Sequence, residues 1–146
     1  MSKPVARLAL LAWLAVILYL TLALFPNLGA APNLIPFRMI ARDLAHRDKD
    51  FYLNFLGNLA GFLPLGYLLP LARDRPTTFG MTALAGAALS AAIEVTQYQG
   101  GMRLADVDDV LLNTVGTALG YALLRARRSA PEAPAAAPPS GTRSAT

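Results

Sequence analysis

The chain has 146 residues, of which 55% are hydrophobic and only 15% charged, with a mean hydropathy of +0.43 and no cysteine. That composition is too apolar for a soluble domain of this size, and the missing cysteines exclude both a disulfide framework and a thiolate site. The net charge of +4 does not imply a nucleic-acid partner, because the basic residues sit in short clusters beside apolar runs and form no single stripe.

The expected fold is an all-α, polytopic membrane bundle of about four transmembrane helices plus a short amphipathic loop helix. In chain order, Met1 to Arg7 is a basic lead, and Leu8 to Phe25 is an apolar run long enough to span a bilayer. Lys3, Arg7 and the small residues Gly29, Ala30 and Ala31 imitate a signal peptide, but the run exceeds the usual ~7–15 residue apolar core and is read as a retained span. Pro26 ends it. In the loop that follows, Pro36 opens a short helix in which Phe37, Ile40, Ala41 and Leu44 share one side, while Arg38, Arg42, Asp43 and His46 face elsewhere. Such a segment suits either a membrane surface or an ordinary loop helix. Arg47, Asp48, Lys49 and Asp50 form a solvated turn of mixed sign.

The second span, about residues 53–71, carries Asn54 and Asn58 near its start, with Gly57 and Gly61 beside them. The four-residue spacing places both amides on one face, and the glycines suggest close helix contact, with the amides as interhelical glue. Pro64 removes the donor for the Ala60 carbonyl. A loop of Arg73, Asp74, Arg75 and Pro76 makes the third span, about 77–95, an antiparallel neighbour. Ala83, Ala87 and Ala91 line its small-residue side, and Glu94 and Gln97 share one side at its far end. The fourth span, about 109–124, begins at Asp106 to Asp109 and repeats Asp109, Asn113, Gly116 and Gly120 on one face. That face is expected to meet another helix. Residues 129–146, rich in Pro and Ala, read as a disordered cytoplasmic tail after a transmembrane domain of residues 1–128.

Basic residues orient the bundle. Lys3, Arg7, Arg73, Arg75, Arg125, Arg127 and Arg128 collect on one side, and the opposite side dilutes its five basic residues with aspartates. Both termini are therefore expected in the cytoplasm, in a bacterial inner membrane. Asn54, Asn58, Glu94, Gln97, Asp106, Asp109 and Asn113 then share the outer boundary, adjoined by Arg38 and Arg103. Ionisable groups at membrane depth indicate a functional site facing a bundle interior.

The blocks Asn33-Leu-Ile-Pro-Phe-Arg38, Asn54-x3-Asn58-x3-Phe62-x-Pro64-x-Gly66, Glu94-x2-Gln97 and Arg103-x2-Asp106-x-Asp108-Asp109-x3-Asn113-x2-Gly116-x3-Gly120 occur in order over roughly residues 30–124. Together they resemble the VanZ-like family of small bacterial membrane proteins, whose founding member is associated with resistance to the glycopeptide teicoplanin. The resemblance implies a cell-envelope setting more than a reaction.

Three functions remain open. The leading one is a binding protein whose Arg38, Asn54, Asn58, Glu94, Gln97, Arg103, Asp106, Asp109 and Asn113 contact a lipid-linked envelope component or an amphiphilic glycopeptide. The second is an enzyme using Glu94, Asp106 and Asp109 as acid/base groups, or these with Asp108 as oxygen ligands for a hard cation. The third is a scaffold packing through Gly116-x3-Gly120. Membrane lipids are the expected partners, a homo-oligomer is left open, and no cofactor is implied. Capping of the fourth helix by Asp106 or Asp108 and pairing of Arg103 with Glu94 or Asp106 are the structural alternatives.

Overall fold

The computed structural model describes residues 1–24, 32–46, 52–101 and 105–129. Among them are five α-helices: α1 (Lys3–Tyr19), α2 (Arg38–His46), α3 (Gly57–Ala72), α4 (Phe79–Gln99) and α5 (Val107–Ser129). Wider π-type turns extend α1 through Leu20–Leu24 and precede α3 at Tyr52–Leu56. Arg103, the Arg47–Asp50 turn, the Gly29–Ala31 stretch and residues 130–146 lie outside the described residues, as does any contact made by them.

Three helices are long and apolar enough to cross a membrane, Lys3–Leu22, Asn54–Ala72 and Phe79–Gln99. The fourth expected span corresponds to α5, which has 23 residues but is less apolar. Its composition has a structural cause. Asp108, Asp109, Asn113 and Thr117 are buried inside the bundle, whereas Val115, Leu119 and Leu123 lie exposed on the outside. The same inversion holds among the described residues: nine polar or charged ones are buried against eight hydrophobic ones, while Leu8, Leu11 and Leu84 are each more than 60% exposed. A bundle that hides polar groups and displays leucine is built for hydrocarbon, where buried polar contacts and close packing replace the hydrophobic core of a soluble domain.

The helices assemble around α5, which packs most extensively on α3 and next on α4, while α1 lies against α3. Glycine sets the α3–α5 approach. A Cβ on Gly120 would stand 1.9 Å from the Leu63 carbonyl oxygen, one on Gly116 2.3 Å from that of Leu59, and one on Gly66 1.8 Å from that of Thr117. By contrast, Gly57 and Gly61 have nothing within 4 Å of such an atom, so the expected close contact through this pair does not form. The Gly61 carbonyl instead accepts a hydrogen bond of 2.8 Å from the Trp13 indole of α1.

One end of the bundle is basic. The Arg7 guanidinium donates to the Ala72 carbonyl at 2.9 Å, capping α3, and to Asp74 at 2.7 Å; Lys3 lies 3.4 Å from the same carboxylate. Arg127 at the end of α5 donates to the Tyr67 hydroxyl of α3 at 3.3 Å. The opposite end holds the ends of α1 and α4 and the starts of α3 and α5.

Candidate functional site

At that opposite end the chain before α2 is fastened to the start of α5. Asn33 forms a parallel bridge with Asp106: its N–H donates to the Ala105 carbonyl at 2.9 Å, and its carbonyl accepts from Val107 at 3.0 Å. The Asn33 side-chain amide also donates to Asp106 Oδ1 at 2.8 Å. Asp106 in turn accepts the Asp108 N–H at 2.9 Å, so it caps α5 as its sequence position suggests.

Asp108 caps a different helix. Its carboxylate is 1% exposed and accepts backbone N–H groups from Phe37 at 2.5 Å, Met39 at 2.7 Å and Ile40 at 3.2 Å, the first donors of α2. An anion at a helix start satisfies orphan donors and meets the favourable end of the helix dipole. These bonds also hold Phe37 at a φ of 66°, a left-handed conformation that a bulky residue rarely adopts. The short helix is therefore pinned in place by a charge contributed from 68 to 71 residues further along the chain.

Four more bonds knit the spans together. Asn58 of α3 donates to Asp109 Oδ1 of α5 at 2.6 Å. Glu94 of α4 accepts the Asp106 N–H at 2.7 Å. One level deeper, the Asn113 amide donates to the Ser90 hydroxyl at 2.8 Å, with both residues buried. Gln97 reaches α1, donating to the Thr21 carbonyl at 2.7 Å from a position 1% exposed.

The cluster thus brings together Asn58, Glu94, Asp106, Asp109 and Asn113, with Gln97 one helical turn beyond Glu94. Asn54 lies half-buried before α3, and Arg38 is exposed at the start of α2; neither side chain makes a hydrogen bond among the described residues. Asn33, Ser90 and the Thr21 carbonyl complete the network and were not singled out by the spacing of polar residues. Asn33 carried a signal, as a lone amide between apolar residues beside a proline; Ser90 had only its place one turn before Glu94.

Among the described residues three buried side-chain atoms have no hydrogen-bond partner, Thr77 Oγ1, Gln97 Oε1 and Asn113 Oδ1. Among the described residues no group of three or more His, Asp or Glu is arranged to hold a metal ion, and the carboxylates instead receive backbone and amide N–H groups. The arrangement is suited to fixing geometry and to hydrogen bonding.

A family model described as VanZ/LLP1 matches residues 8–128, which takes in α2 to α4, most of α1 and α5, and the whole cluster. Neither the curated proteins nor the solved structures contain a match to the chain.

Proposed function

The chain belongs to the VanZ/LLP1 family, and from that premise we propose that it is a membrane-embedded binding protein. Its polar cluster lies at the outer boundary of the bacterial cytoplasmic membrane and recognises the polar group of a lipid-linked envelope component or an amphiphilic glycopeptide, whose acyl part stays in the bilayer. The observation that supports this reading is the difference between two kinds of polar residue. Asn58, Asp106, Asp108 and Asp109 are tied across helices and hold the frame. Arg38, which is exposed, and Asn54, which is half-buried, lie at the same end and are not used by the frame. A guanidinium in that position suits a phosphate or carboxylate.

The orientation follows from charge. The basic end, with Lys3, Arg7, Arg73, Arg75, Arg125, Arg127 and Arg128, is cytoplasmic under the positive-inside rule, which turns the cluster outward. α2 then lies in the interface, with exposed Leu34, Ile35, Phe37 and Leu44 available to the acyl region. A role in glycopeptide resistance, as for the family's founding member, belongs to the same proposal.

The test uses Arg38→Ala and Asn54→Leu, neither of which removes a bond of the frame. Capture of lipid-linked envelope molecules or of a lipoglycopeptide by the purified protein should fall roughly ten-fold, the scale of one charge-assisted hydrogen bond, with membrane abundance unchanged. Undiminished capture by both variants contradicts the reading, and a parallel loss of abundance assigns these residues to packing.

A further inference from the structure

The basic end of the bundle carries a second surface, independent of the polar cluster and of the function proposed for it. α1 and α4 begin there while α3 and α5 end there, so the partial charges of the helix termini oppose one another and require no excess of cations. Yet Lys3, Arg7, Arg73, Arg75, Arg125, Arg127 and Arg128 gather at this end, where Asp74 is the one carboxylate among the described residues. Lys3 and Arg7 are engaged with it. The other arginines all lie exposed.

The packing of α3 on α5 brings several of them to one level. A Cβ on Gly116 would meet the Leu59 carbonyl and one on Gly120 the Leu63 carbonyl, so the two helices run parallel with a constant offset. That offset sets Arg127 and Arg128 beside Pro70 and Leu71 in the last turn of α3, which Arg73 directly follows. The hydrogen bond of 3.3 Å from Arg127 to the Tyr67 hydroxyl fits the same register. Arg127 also ends an apolar track. Val115, Leu119 and Leu123 precede it at steps of four along α5, and all three are exposed.

We propose that this track and the arginines at its end bind an anionic glycerophospholipid of the adjoining leaflet. An acyl chain follows Val115, Leu119 and Leu123, and the phosphodiester meets Arg127 and the Tyr67 hydroxyl, with Arg73 and Arg128 at the same depth. The hydroxyl accepts from Arg127 and keeps its own proton for a phosphate oxygen. Guanidinium forks match paired phosphate oxygens, which an ammonium meets only as a point charge. Selectivity comes from charge. A zwitterionic headgroup brings its own cation against this surface, whereas a phosphatidylglycerol-type headgroup brings only negative charge.

The full chain is placed in nanodiscs of phosphatidylcholine, phosphatidylethanolamine and phosphatidylglycerol in equal amounts with identical acyl chains, and the lipids retained on release are read by native mass spectrometry. Phosphatidylglycerol should be retained above both zwitterionic lipids, and Arg73→Gln and Arg128→Gln should each lower that retention about five-fold. Arg42→Gln, which removes a charge at the other end of the molecule, should leave it unchanged. Should the glutamine variants fail to fold, Arg127→Lys keeps the charge while losing the fork and should lower retention several-fold, and high salt should weaken the preference of the unaltered chain. Equal retention of the three lipids overturns the proposal, as does full retention in the folded variants. An equal loss in Arg42→Gln overturns the assignment to this end. None of these outcomes bears on capture of a lipid-linked molecule at the polar cluster, which Arg38→Ala and Asn54→Leu test separately.

Discussion

Asn58 of α3 and Asp109 of α5, separated by 51 positions in the chain, meet at 2.6 Å, so the amide that opens one span is fixed by the carboxylate that opens another. Glu94 joins the same end of α5 from the third span through the Asp106 N–H. The site is consequently also the joint that sets the helix ends relative to one another.

Replacing Asn58 with Leu removes a hydrogen bond to a buried carboxylate. Stability should fall by about 1–3 kcal/mol, measured as the shift in thermal unfolding of the detergent-solubilised protein. Gln at the same position should recover part of the loss, because it retains the donor.

The glycines separate into two groups with opposite predictions. Gly120→Ala and Gly116→Ala drive a Cβ into the α3 backbone and should cost about 1–3 kcal/mol through overpacking. Gly57→Ala and Gly61→Ala meet open space and should be neutral or stabilising by up to about 1 kcal/mol. Thermal unfolding of the four single variants checks the division.

This division marks a limit of reading spacing alone. A four-residue glycine repeat identifies small residues on one face without saying whether that face meets backbone, and the two repeats in this chain look equivalent in sequence. The repeat continuing from Asp109 and Asn113 packs, since the polar residues beside it must be buried; the repeat in α3 does not. The gathering of Asn58, Glu94 and Asp109 at one end was legible, because helix order and short loops leave few ways to arrange three polar helix ends. The partners were not. Asp108 looks like an ordinary cap of its own helix, and only the fold brings α2 over it, while Ser90 and the Thr21 carbonyl carry no local signal for their amide partners.

Asp108→Ala should release α2. The N–H groups of Phe37, Met39 and Ile40 lose their acceptor, so hydrogen exchange across residues 37–46 should accelerate markedly while α3 to α5 stay protected. Asp108→Asn should give an intermediate rate, as the neutral amide oxygen accepts more weakly.

At the basic end, the hydrogen bond from Lys3 and then the charge of Arg7 hold the Asp74 carboxyl below its ordinary value of 3.8. Because the folded value is the lower one, this contact contributes its full stabilisation above that ordinary value and loses it as pH falls through the folded value. The distance between spin labels on the first turn of α1 and the α3–α4 loop should lengthen only at strongly acidic pH. Asp74→Asn should remove that dependence and give the lengthened distance throughout.

The most direct measurement is mass spectrometry of the molecules that remain bound when the protein is extracted from its native membrane, compared between the unaltered chain and Arg38→Ala at equal abundance. A defined lipid-linked species enriched on the former and depleted roughly ten-fold on the latter is the expected result. The same bulk lipids in the same proportions on both would contradict a binding role for the cluster.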